Sequence, residues 1–401
     1  MRRSLRIFVA LVLGVVAGTG AYVGYAAIRS GQDLTLPAPA GPHPVGRTIL
    51  EWTDQDRTDP LAPTPGAPRT LSVWLWYPAA PAPGAGPAPY APGAWSQLHP
   101  GGLPGLAETG FDHVHGHAFD GAPVAAGRFP VVVLEPGLGF SAPQYSTLAE
   151  DLASHGFLIA GVTPTYTANL TVLHGQPVHA SERGNPAGFD AADLHTGQAQ
   201  ADGDRLVGVL AADARFAAAR AAALDAGGPF AGHVDATTIA YVGHSFGGAA
   251  ALEACRTDDR CAGAADVDGT QYGEVVRTGL SKPMMLLGSE DSCVTGTCPT
   301  PGTDLDTARA LLDADTAPAW CYQIRGARHF NFSDLGVLYL AAPLRALLAL
   351  GPVDGRSALA ITGAYLAAFL GLTLRAEPQP LLTAATGPYP EVVTNRTPGR
   401  C

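Results

Sequence analysis

Lysine is almost absent from the 401 residues: Lys282 stands alone. Arginine therefore carries nearly all the positive charge, and Lys+Arg 24 against Asp+Glu 35 leaves the chain at -11. A polynucleotide partner is excluded on that balance, because phosphate binding needs a basic surface that releases counterions. No C-x-x-C pair occurs among the six cysteines, which removes the usual signature of a zinc site. Low complexity throughout is excluded too. Gly 49 and Pro 35 together stay under the roughly 25–30% at which a chain stops reading as globular, and hydrophobic residues make up 47%. That composition and length suit one large α/β domain or two smaller ones.

Charge is also missing from Ile7 to Ile28, a run of 22 residues that follows Arg2, Arg3 and Arg6. As a helix it reaches about 33 Å, enough to cross a bilayer. A basic start before an apolar run also opens a secretory signal, with Gly24 and Ala26 as small residues near a cleavage point. Residues 1–28 are thus a signal peptide or a transmembrane anchor, and either places the remainder outside the cytoplasm, membrane-anchored or secreted. An even set of cysteines fits an oxidising compartment. Proximity favours Cys255 with Cys261 and Cys293 with Cys298, leaving Cys321 for Cys401.

Residues 29–45 are rich in Pro, Gly and Ala and read as a linker, 46–376 as one folded domain, and 377–401 as a C-terminal tail. Thr70–Tyr77 is β-rich. Phe129–Leu134, Tyr145–Ser154 and Phe157–Val162 form a strand, helix, strand succession that implies a parallel sheet. Ala168–Asp193 shows turn formers without a period and reads as a long loop, followed by an Ala-rich helix over Ala199–Ala226. Further short apolar runs lie at Thr238–Val242, Ala262–Val267, Pro283–Leu287 and Trp320–Ile324, before a helix around Ser357–Leu374. Val337–Leu350, broken by Pro343 and Arg345, reads as core packing, with a lipid-facing patch as the alternative. His113, His115 and His117 alternate without a carboxylate or cysteine to complete a metal site, so they read as a polar loop, and no metal is expected.

Gly243-His244-Ser245-Phe246-Gly247-Gly248 follows an apolar strand and precedes a helical run. A G-x-S-x-G in that setting marks Ser245 as a nucleophile on a strained turn, with a helix dipole aimed at it. A serine needs a base, and His329 follows the last apolar run, where the base of such a site belongs. Two candidate acids stand between them, each just after an apolar run, in the order nucleophile, acid, base: Asp268 and Asp291. The Phe246 N–H and the Leu138 N–H, the latter in the turn Glu135-Pro136-Gly137-Leu138-Gly139, are the candidate oxyanion donors. No cofactor is expected.

The Gly-Leu-Gly turn, the Asp151–Phe157 segment, the serine elbow, Val267-Asp268-Gly269 and Arg325–Phe332 occur in the order of the platelet-activating-factor acetylhydrolase group, which this chain resembles from Thr70 to Leu374. The resemblance implies an α/β-hydrolase fold, a mostly parallel central sheet flanked by helices. It also implies calcium-independent hydrolysis of short or oxidised acyl esters, phospholipids among them, and places the acid at Asp268. The group usually has a histidine where this chain has Pro136, a departure that bears on substrate preference. A polyester or triacylglycerol hydrolase is the alternative enzyme. A catalytically inactive hydrolase fold used for binding is the alternative of another class.

Overall fold

The computed structural model describes residues 2–99, 107–186, 197–294, 303–384, 387–394 and 401. Its centre is a ten-stranded sheet. Six strands run parallel side by side, in the spatial order Ala319–Ile324, Met284–Ser289, Cys261–Val267, Val234–His244, Phe129–Glu135 and Leu158–Thr163. They read as unbroken apolar runs because both faces are covered. Along Phe129–Glu135, for example, Val132 and Leu134 enter the core beneath the Ser146–Ser154 and Gly355–Arg375 helices, while Val131 and Val133 enter the opposite core beneath Gly197–Ala223 and Phe246–Arg256. The fold is thus the mostly parallel α/β sandwich that the sequence predicts.

Three regions depart from the sequence reading. Val45–Thr58 is a long strand paired antiparallel with Pro68–Pro78, which in turn pairs antiparallel with Leu158–Thr163. Its run of Thr, Asp, Glu and Gln hides it from a hydrophobicity count, since most of it is only partly buried. The expected loop Ala168–Asp193 contains a hairpin, Leu170–Leu173 with Gln176–His179, turned at His174 and Gly175, both at positive φ; its residues 187–193 lie outside the described residues. Beyond Ala376 the chain returns to the sheet. Val392–Val393 pairs with Gln323–Ile324, and Cys401 is disulfide-bonded to Cys321.

Cys255 is bonded to Cys261, joining the end of the Phe246–Arg256 helix to the start of the next strand. Cys293 is also disulfide-bonded, and the partner expected for it, Cys298, lies outside the described residues. The N-terminal helix Arg2–Ser30 exposes its apolar stretch: Ile7, Leu11, Val15 and Ile28 all stand in the open. Gly355–Arg375 is also long and apolar enough to cross a membrane, but it packs on the sheet as a core helix. Within Val337–Leu350, the segment read as core packing, Leu338 and Leu340 are buried while Leu347 is exposed.

His113 and His115 both approach Asp33, and His117 bonds the Leu36 carbonyl, so the three fasten the linker to the body. Among the described residues no three such groups converge as metal ligands.

The strand pair at the edge is fixed by buried charge. Arg69 reaches Asp213 at 2.6 Å and Asp59 at 3.0 Å, and donates to the Thr165 carbonyl at 2.7 Å. Burial opposes its charge, yet the two carboxylates outweigh it and raise its pKa above the ordinary value. Arg57 also pairs with Asp213, so loss of Arg69 chiefly strands Asp59. Arg69→Met is expected to lower stability by about 3–5 kcal/mol in chemical denaturation, because it leaves a buried charge uncompensated. A loss no larger than the roughly 1 kcal/mol of an exposed pair would contradict that reading.

Candidate active site

Each candidate group sits at the carboxyl end of a parallel strand, where open α/β sheets place their ligand sites. Ser245 follows Val234–His244 with φ 56°, a left-handed conformation that is strained for a residue with a side chain. The turn is held on two sides. Its N–H donates to the Val267 carbonyl at 2.8 Å, and its own carbonyl accepts from Gly248 N–H at 2.8 Å. A methyl group at Gly243 would collide with the Gly247 backbone, and one at Gly247 would meet the Glu135 carbonyl at 2.5 Å. The glycines therefore permit the crossing of the elbow over the end of the neighbouring strand.

His329 stands at the start of a short 3-10 turn five residues beyond the Ala319–Ile324 strand. Its Nε2 lies 2.9 Å from Ser245 Oγ, and its Nδ1 lies 2.8 Å from Asp268 Oδ2. Asp268, the residue after Cys261–Val267, is itself at positive φ, 55°. Its other oxygen accepts from Ser289 N–H at 2.6 Å. Burial favours the neutral acid, but the hydrogen bond and charge of His329, together with Ser289, outweigh it and hold the carboxyl below its usual range. The loop after Asp268 is pinned by Asp266, which accepts from Gly269 N–H at 2.9 Å and Gln271 Nε2 at 3.0 Å. Burial raises Asp266 to about 7.

The other carboxylate considered for this position faces elsewhere. Asp291 is 55% exposed and lies 3.7 Å from Arg328, on the rim of the cleft. Serine, imidazole and Asp268 are thus within hydrogen-bond distance of one another in series, and Asp291 is outside that series.

The Gly137–Leu138 turn faces the elbow. The Cβ that a side chain at Gly137 would add lies 3.2 Å from Ser245 Cβ. Among the described residues nothing accepts from the Leu138 N–H, and Phe246 is the first residue of the helix that follows Ser245. Both residues line a cleft of about 380 Å³ that also contains Ser245, His329 and Asp268. Tyr272 and Val294 extend its apolar side, with Tyr272 5.3 Å from Phe246 between ring centres.

Two further side chains carry no role in the sequence reading. His244, 2% exposed, places Nδ1 2.7 Å from Tyr145 Oη and Nε2 2.9 Å from the His329 carbonyl. His244 was visible inside the elbow motif. Tyr145 gave no signal, because only the fold brings it there.

Residues 103–187 and 228–378 match the family model described as platelet-activating factor acetylhydrolase, isoform II. The chain belongs to this family. It is 26% identical over 180 residues to the platelet-activating factor acetylhydrolase of Cavia porcellus, spanning 41% of this chain and only 40% of that protein. It is 25% identical over 409 residues to a chain from Arthroderma benhamiae described as a probable 1-alkyl-2-acetylglycerophosphocholine esterase, covering 90% and 94%. Among solved structures, the ferulic acid esterase from Streptomyces cinnamoneus superposes with a TM-score of 0.74 at 30% identity, covering 91% of this chain and 100% of that one.

Substitution separates the two carboxylates. Asp268→Asn is expected to lower kcat on p-nitrophenyl acetate by up to about 10⁴-fold, as loss of a carboxylate that sets the imidazole tautomer does in the best-studied triad. Asp291→Asn should stay near wild type. The reverse ranking would move the acid to Asp291.

Proposed function

We propose that the protein is a serine esterase that cleaves short or oxidised acyl esters, glycerophospholipids among them, through an acyl-enzyme. The observation that carries this reading is the unbroken series Ser245 Oγ, His329 Nε2, His329 Nδ1, Asp268 Oδ2, with links of 2.9 and 2.8 Å. Membership in an acetylhydrolase family supports the ester bond as target, as do the relatives' descriptions.

In the first half-reaction Ser245 Oγ attacks the ester carbonyl carbon while its proton passes to His329 Nε2. The carbonyl oxygen becomes an oxyanion, held by the Leu138 and Phe246 N–H groups. Each such donor is worth on the order of 10²–10³ in rate. Collapse of the tetrahedral species breaks the bond to the leaving alcohol, which takes the proton from His329. In the second half-reaction a water gives a proton to His329 and attacks the acyl carbon. The carboxylic acid leaves and the proton returns to Ser245. Asp268 stays ionised throughout, bonded to Nδ1–H, and stabilises the imidazolium formed in each half. No step uses a cofactor.

The helix over the first 28 residues anchors the enzyme or directs its export, the hydrolase domain spans 46–376, and the site operates outside the cytoplasm. The exposed apolar face of Arg2–Ser30 and the disulfides Cys255–Cys261 and Cys321–Cys401 support this placement. A small ester or lipid is the substrate, and any membrane contact is made through the N-terminal segment.

A second reading within the same chemistry is an aromatic acyl ester. The Phe246 and Tyr272 rings at the cleft wall favour it, as does the solved relative's description. A hydrolysis panel decides between them: acetyl, butyryl and palmitoyl p-nitrophenyl esters, an acetyl glycerophospholipid and methyl ferulate. The proposal expects acetyl esters to lead in kcat/KM and Ser245→Ala to lose turnover with its fold intact. Preference for methyl ferulate would select the second reading, and activity retained by folded Ser245→Ala would overturn both.

A further inference from the structure

His244 sits between three parts of the site at once. It precedes Ser245 in the chain, its ring lies 4.7 Å from the His329 ring, and the Gly137 turn rests against it, with the Cβ position of Gly137 3.2 Å from its Nδ1. The hydrogen bonds around it can be written in only one direction. A carbonyl oxygen only accepts, so the bond to the His329 carbonyl requires a proton on His244 Nε2. In a neutral imidazole Nδ1 is then a lone pair and accepts from the Tyr145 O–H. Tyr145 Oη in turn accepts from Gly137 N–H at 3.0 Å. Three bonds run head to tail, from the turn that carries Leu138 to the backbone of the base.

We propose that Tyr145 and His244 are positioning residues that lock the oxyanion turn and the His329 backbone into one register, so that the donor at Leu138 and the base move as a unit relative to Ser245. This rests on the serine esterase reading and assigns a task to two side chains that never touch substrate. It explains why a histidine is buried beside a base that becomes cationic in each half-reaction. Burial first, and the neighbouring His329 second, push the His244 pKa down to about 3. The ring therefore stays neutral when His329 takes a proton, and keeps the lone pair that holds Tyr145. Burial likewise raises the Tyr145 hydroxyl, which remains a donor.

The network reaches only the two elements that must be mutually aligned. Gly137 N–H fixes the peptide immediately before the Leu138 amide, and the His329 carbonyl fixes the backbone of the imidazole. A displacement of either by a fraction of an ångström would lengthen the oxyanion contact or the Ser245 to His329 bond. A misplacement near 1 Å can cost about 10²-fold in rate.

The test uses the full-length protein in detergent. Tyr145→Phe removes one hydroxyl with little change in volume, and is expected to lower kcat on p-nitrophenyl acetate by about 10- to 100-fold while leaving KM close to wild type. In ¹⁵N-histidine spectra of the wild type, His244 should show protonated Nε2 and bare Nδ1 even at about pH 5, below the ordinary imidazole pKa. In Tyr145→Phe that signature should shift. A purely structural role for Tyr145 would lower the melting temperature and leave kcat of the folded variant unchanged, which would overturn the proposal. A wild-type His244 that is protonated on Nδ1 would overturn it as well, and this is read without turnover, should the variant fail to fold. Wild type lacking esterase activity would sink the serine esterase reading together with this one; an active enzyme with the wrong tautomer would sink the relay alone.

Discussion

The site depends on one close approach, the crossing of the Gly243–Gly248 elbow over the carboxyl end of Phe129–Glu135. Backbone carbonyls of Glu135 and Pro136 lie where a side chain on Gly247 would go, so the elbow can reach this depth only with glycine there. That contact forces Ser245 into positive φ and turns its hydroxyl away from the sheet toward His329. It also brings the turn that follows Glu135 against the same elbow, which puts the Leu138 amide in the same cleft as the hydroxyl. The strain at Ser245 is held by backbone bonds to Val267 and Gly248 and by a helix packed on Leu206, Val207 and Leu210. The positive φ at Ser245, the facing Gly137–Leu138 turn and the helix that starts at Phe246 are therefore consequences of one packing decision.

The position of Asp268 is set by a similar local constraint. Asp268 leaves its strand through a positive φ and is tied to the next strand by Leu287 and Ser289. Below it the buried Asp266 fixes the following loop. Asp291 has no comparable frame: it sits on the rim, more than half exposed, next to Arg328. A carboxylate that is to hold one imidazole tautomer needs immobility as well as charge, and of these two Asp268 is the one that is held.

Much of this was legible in the chain because the parallel strands are covered on both faces and so appear as continuous apolar runs. The elbow and its two glycines were legible because tight backbone contact leaves few residue choices. Ser245, His329 and Asp268 could be named in order, since each follows the end of an apolar run, and the structure draws them into hydrogen-bond distance. The choice against Asp291 leaned on family likeness rather than on spacing. Val45–Thr58 escaped notice because a partly exposed strand carries polar residues at many positions. The hairpin at Leu170–His179 was obscured by its turn formers, and the return of the tail to Ile324 depends on a pairing nearly seventy residues away in sequence, from Val392. Tyr145 and the Arg69 cluster were invisible for the same reason: their partners are set by tertiary packing, so no local pattern records them.

The central claim is that Ser245 carries the acyl group between the two half-reactions. Acid quenching during steady-state turnover of a slowly deacylated ester, followed by proteolysis and mass spectrometry, reads this directly. The account predicts a single acyl adduct per chain, on Ser245. Turnover with no adduct there, or with the acyl group on another residue, would contradict it.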